Sequence, residues 1–163
     1  MTYIKQNKGF TLVELAIVIV IIGFLVAGIA AGANMIKQAE LRSMITDLQQ
    51  YQVAYNNFIG RYNKIPGDMD SAFSFWGTNC AALQATCNGG GNGLITHNVA
   101  PASNEVLKAW KHLSLAGMIS AGIQVISASN TGGLTIGTEA PSSKKTGAGF
   151  FISTGGTNNG GTG

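Results

Sequence analysis

From Gly9 to Ala33 the chain is one apolar run of helix length, and its single ionisable residue, Glu14, sits near the start. From Leu15 to Ala33 the run holds about 19 residues, roughly 28 Å of helix at 1.5 Å per residue, close to the ~30 Å hydrocarbon core of a bilayer. An ionised side chain near the centre of such a helix costs roughly 2.5–3.5 kcal/mol, and less toward an end, so it usually persists where it has a partner. No cation lies within the run. The nearest counter-charge would be a terminal amine, and one would exist there only if the chain were cut between Gly9 and Phe10. Lys5 and Lys8 precede the run with no acidic residue on that side. By the positive-inside rule they keep the short amino-terminal tail cytoplasmic and send everything after Ala33 across the membrane.

The segment Lys8-Gly9-Phe10-Thr11-Leu12-Val13-Glu14 resembles the processing and methylation motif of type IV prepilins and type II secretion pseudopilins. That resemblance implies a prepilin peptidase that cuts after Gly9 and methylates the new amino-terminal Phe10. It implies that Glu14 then faces the amine of a neighbouring subunit during filament assembly. The implied partners are the peptidase, other pilin or pseudopilin subunits in a homo- or hetero-filament, and an inner-membrane assembly platform with its motor. The implied location is a single pass through the bacterial inner membrane, with the carboxyl-terminal domain periplasmic. A second, looser resemblance runs from Tyr55 to Trp76, where Ile65-Pro66-Gly67-Asp68 is similar to a loop of uncharacterised prepilin-like proteins. The competing interpretation is a cleaved secretory signal, since Ala31-Gly32-Ala33 has the small-residue pattern of a signal-peptidase site. Against it, the apolar segment is longer than the usual 7–15 residues and contains Glu14.

Composition narrows the remaining classes. The 163 residues suit one domain beyond the anchor. Charged residues are only 10%, and the formal charge of +3 includes Lys5 and Lys8, so a chain cut after Gly9 is nearly neutral in side-chain charge. Its basic residues are scattered without interleaved aromatics, which is no signature for tracking nucleic-acid phosphates. Cys80 and Cys87 are the only cysteines, in a part of the chain expected in an oxidising compartment, and a disulfide between them is expected. Such a bridge closes an eight-residue loop and contributes about 2.5 kcal/mol on the chain-entropy argument. Two cysteines without a second pair fall short of a zinc site, and neither metal nor cofactor is expected.

The helical period continues past Ala33. Met35, Ile36, Ala39, Leu41, Met44, Ile45, Leu48, Tyr51, Tyr55, Phe58, Ile59 and Tyr62 recur at three- and four-residue steps, with charges largely between them. This predicts one long helix, apolar all round over 10–33 and amphipathic over 34–62, following a leader at 1–9 and preceding a globular head at 63–163. Gly23, Ala27 and Ala31 form one row of small residues and Gly28 and Gly32 the next, a surface on which neighbouring membrane helices can approach closely. Related pilins often carry proline where Ala31 stands. Gly60 to Pro66 should end the helix, with a type II turn at Ile65-Pro66-Gly67-Asp68 and Asp68 or Asp70 capping a short helix to Trp76, closed by Gly77. Asn88 to Ile95 has the spacing of half a calcium loop, but asparagines stand where carboxylates are needed, so a flexible glycine loop is expected. A further helix should open at Ser103 or Asn104, bury Val106, Trp110 and Leu113, and end at Gly117. His97 and His112 are read as surface or structural residues. Short β runs are expected at 123–127, 134–137 and 149–153, and the residues from Ser153 onward lack apolar positions. The expected fold is α+β and pilin-like, the long helix packed against a small antiparallel sheet.

Three functions then compete: a repeating filament subunit, a minor tip or initiating pilin whose head binds substrate, DNA or a surface, and an exported enzyme. The third lacks any recognisable arrangement of nucleophile, base and orienting group, so no catalytic residue is assigned. Glu14 favours incorporation along the filament, and the absence of a basic stripe disfavours a DNA-binding head.

Overall fold

The computed structural model describes residues 9–97, 104–120, 122–123, 135–145 and 147–154. Its dominant element is α1, Leu12–Tyr62, which is 51 residues long. Three short helices follow, α2 (Ala72–Trp76), α3 (Gln84–Cys87) and α4 (Glu105–Leu115), with a 3₁₀ turn at Gly77–Asn79. The chain divides into two units, Met1–Arg42 and Ser43–Gly163.

In the first unit the described residues form only the opening stretch of α1, and its apolar side chains face outward, Phe24 at 75% exposure and Ile29 at 72%. That stretch is long and apolar enough to cross a membrane. No proline or charge interrupts it between Leu15 and Ile36, so nothing local ends the helix.

In the second unit α1 begins to bury one face. Tyr51, Ala54, Tyr55, Phe58, Ile59 and Tyr62, three or four residues apart, are buried or half-buried. The expected stripe from Met35 to Leu48 is not: Ile45 and Leu48 remain exposed here, as do Met35, Ile36 and Leu41 in the first unit. The helix ends where Asn63 takes a left-handed φ of +50° and donates its N–H to Ile59 O at 2.8 Å. Phe58, fully buried, lies beside the rings of Tyr62, Trp76 and His112, and Tyr51 meets Trp110 and Phe150 edge to face. Helix α4 starts at Asn104, whose side chain accepts Val106 N–H. It closes as a Schellman motif, with Gly117 at φ +69°, Met118 N–H on Leu113 O and Gly117 N–H on Ser114 O.

A buried polar seam joins α4 to the preceding loops. Asp68 does not cap α2; its carboxylate accepts Asn92 N–H at 3.0 Å and Gly93 N–H at 2.7 Å. Asp70 is not a cap either, being paired with Lys64 at 3.0 Å on the surface. Glu105 accepts Gly90 N–H through Oε1 and both the N–H and hydroxyl of Thr96 through Oε2. Lys108 donates to the carbonyls of Asn88 and Ala85. The glycine loop is therefore pinned rather than free, and the Asn88 and Asn92 side-chain oxygens are occupied by Phe73 and Leu94 N–H.

The expected antiparallel sheet is not found among the described residues, which hold no strand and only two isolated bridges, Ile136 with Ala140 and Ser142 with Gly149. The cause is local. Thr135–Ala140 closes a turn in which Gly137, at φ +92°, donates to Ala140 O while Glu139 accepts Thr135 N–H, so the backbone groups a ladder would use are spent within the turn. Most of the run at 123–127, Leu134 and the tail beyond Thr154 lie outside the described residues.

Candidate processing and assembly site

Gly9, Phe10 and Thr11 precede the first helical residue, Leu12, and Phe10 is 90% exposed. The Gly9–Phe10 bond therefore lies in non-helical backbone immediately outside the helix. Gly9 has no positive φ, and a Cβ built on it meets nothing within 4 Å. Among the described residues nothing demands glycine there.

Thr11 and Glu14 form a reciprocal cap. Glu14 Oε2 accepts Thr11 N–H and Thr11 Oγ1–H, each at 2.8 Å, while Thr11 Oγ1 accepts Glu14 N–H at 3.3 Å. This is the capping box of a helix start, and it spans the Thr-x-x-Glu spacing of the sequence. The carboxylate is thus already tied into its own chain through one oxygen. Among the described residues Oε1 takes no bond. Thr11 is the residue that charge-based reasoning about Glu14 passes over; the capping-box spacing is the signal that finds it.

Residues 4–30 match the prokaryotic N-terminal methylation motif. The chain carries the type IV pilin and pseudopilin signal. No curated protein and no solved structure matches it. The motif spans Gly9, the cap and the first turns of α1, so the residues sequence reasoning selects, Gly9, Phe10 and Glu14, stand together within it. With the apolar, outward-facing helix behind it, the motif fits a membrane-anchored protein that is processed by prepilin peptidase and assembles with other pilin subunits.

The small residues fall elsewhere on α1. Gly23, Gly28 and Gly32 have open space where a Cβ would sit, and Ala27 and Ala31 lie in the same stretch. Each glycine costs roughly 1 kcal/mol against alanine inside a helix. Among the described residues nothing packs against these positions to offset that cost.

Cys80 and Cys87 are joined, with S–S 2.06 Å and Cα–Cα 5.6 Å. Their sulfurs and the ring of His112 lie within 4.8 Å of one another. The arrangement is not a ligand set while the disulfide stands, because the sulfurs are bonded to each other and both ring nitrogens are used. His112 Nδ1 accepts Gly67 N–H and Nε2 lies 3.0 Å from Cys87 O, which requires the neutral ring with its proton on Nε2. Full burial drives its pKa down to about 4, against a smaller upward pull from the Cys87 bond; Lys108 adds to the depression. His112 is thus a core residue, while His97 lies against the Phe151 ring.

Proposed function

We propose that this protein is a structural subunit of a type IV pilus or type II secretion pseudopilus, with no catalytic role and no cofactor. It is cut after Gly9, N-methylated on Phe10 and stacked into a helical filament through the first half of α1. The observation that carries this reading is the half-occupied Glu14: one oxygen caps its own helix, and the other is open at the start of an apolar, outward-facing helix. An amine freed from Phe10 of an adjoining subunit supplies the missing partner, and in a low-dielectric filament core that attraction offsets the desolvation of the carboxylate. The rows Gly23, Ala27, Ala31 and Gly28, Gly32 seat neighbouring helices at close approach. Platform and motor proteins extract the mature subunit from the membrane.

Glu14→Gln tests the pairing. The variant is expected to be processed and inserted as wild type yet to be poorly incorporated, read as the subunit's share in sheared filaments. Incorporation at the wild-type level would contradict the role. A second reading, a minor tip or initiating subunit whose head binds a ligand, is favoured by the cavity described next. Copies per filament, counted by quantitative mass spectrometry, separate a repeating subunit from a rare one.

A further inference from the structure

The second unit holds a half-open cavity of about 460 Å³, within the range of small-ligand sites. Its floor and walls are largely aromatic and apolar: Tyr51 and Tyr55 from α1, Trp110 from α4, and Phe150 and Phe151. Gln52, Ser153 and Thr154 supply polar atoms at the margin. No residue lining it carries a charge. Burial raises the pKa of both tyrosines, so their phenols stay protonated and neutral at ordinary pH. Ser153 and Thr154 are tied to Ile95, whereas the Gln52 amide and the Tyr51 and Tyr55 hydroxyls make no hydrogen bond among the described residues, which leaves hydrogen-bonding groups within one turn of α1.

A second observation marks the same place. Trp110 is 1% exposed, and its Nε1–H is the one buried side-chain polar atom among the described residues without a hydrogen-bond partner. Buried donors normally find an acceptor, and an orphan costs roughly 1–3 kcal/mol. Trp110 is one of the residues that line this cavity.

We propose that this cavity binds an uncharged ligand with an apolar face and hydroxyl groups at its edge, the chemistry of a neutral saccharide ring. Aromatic faces cover the C–H side of such a ring, and the Gln52 amide with the Tyr55 hydroxyl takes its edge. No cation lines the cavity, and Asp47 and Asp68 act on its tyrosines from nearby, so an anionic ligand is left uncompensated. Extended peptide is the poorer fit, because the free donors and acceptors identified here belong to side chains of a helix rather than to a strand edge. The site lies wholly in the second unit and does not depend on the filament reading.

The test uses the full chain in phosphocholine micelles, which carry no sugar headgroup. Saturation-transfer NMR is recorded with a panel of neutral mono- and disaccharides on the order of 10 mM, with glucuronic acid as the anionic control and an apolar tetrapeptide as the peptide control. Transfer to the C–H protons of a neutral sugar is expected, with little to glucuronic acid. Tyr55→Phe and Gln52→Ala should each weaken binding roughly threefold to tenfold while the near-UV spectrum of the head is unchanged. No transfer to any neutral sugar, equal transfer to the anionic one, preference for the tetrapeptide, or binding indifferent to both substitutions would overturn the proposal. Neither cleavage nor incorporation enters the assay, so its failure leaves the filament reading where it stands.

Discussion

At the scale of the residue, two side chains carry opposite lessons. Glu14 shows what a sequence can announce: a lone acid in an apolar run demands a partner. Thr11 supplies part of that partnership from within the chain, through a capping box written in the Thr-x-x-Glu spacing. Gly9→Ala should leave the fold unchanged, since a Cβ there meets nothing, and yet abolish cleavage; a cut and uncut band on a gel distinguishes the two. His112 shows what a sequence conceals. Its neutral ring is locked between Gly67 N–H and Cys87 O, with a pKa of about 4, whereas the unfolded chain binds that proton near 6.5. The unfolded state therefore takes up protons first as pH falls. The stabilisation is fully present above about pH 6.5 and is lost as pH drops toward 4, about 3 kcal/mol in all. Urea unfolding of the head at pH 7 and pH 4.5 should show that loss, and His112→Gln should be weaker at pH 7 with a flatter dependence on pH.

Among the elements, α1 was readable to within a few residues, because its apolar run has no breaker and its end runs into Gly60 and Pro66, whereas the cap at its start was passed over. Where the amphipathic face begins to bury was not readable: the apolar period from Met35 to Leu48 looks the same as that from Tyr51 to Tyr62, and only the latter meets a packed partner. Helix α4 was also anticipated in place and in its buried face. Its polar seam, Glu105, Lys108 and His112, was not, since these residues bind backbone groups of loops far off in sequence and periodicity is blind to such partners. The same seam explains Gly67, which has φ +93° as the third position of a type II turn requires and would bring a Cβ within 2.4 Å of Glu105 O. Gly67→Ala should destabilise the head severely, by about 3 kcal/mol or more, in a denaturant titration. Gly28→Ala is its counterpart. Open space surrounds that position, so the subunit should become slightly more helical while its incorporation into filaments falls.

For the whole molecule, the disulfide and the seam act on the same loops. Cys87 O and Asn88 O, at the end of the bridged segment, are the acceptors for His112 and Lys108. Cys80→Ser with Cys87→Ser should therefore cost about 2 kcal/mol and also expose the amides of Gly89 to Gly93 to hydrogen exchange. The sheet was misjudged because short apolar runs between glycines suit tight turns as well as strands, and at Thr135–Ala140 the turn satisfies the backbone alone. The proposed function turns on the amino terminus, where a cut after Gly9 would ready the first unit for assembly. Intact-mass analysis with amino-terminal sequencing, on protein taken from its native membrane, tests that most directly. The account predicts a chain that begins at Phe10 and bears one methyl group on its amine. An uncut leader, or a chain that begins at Asn34, would contradict it.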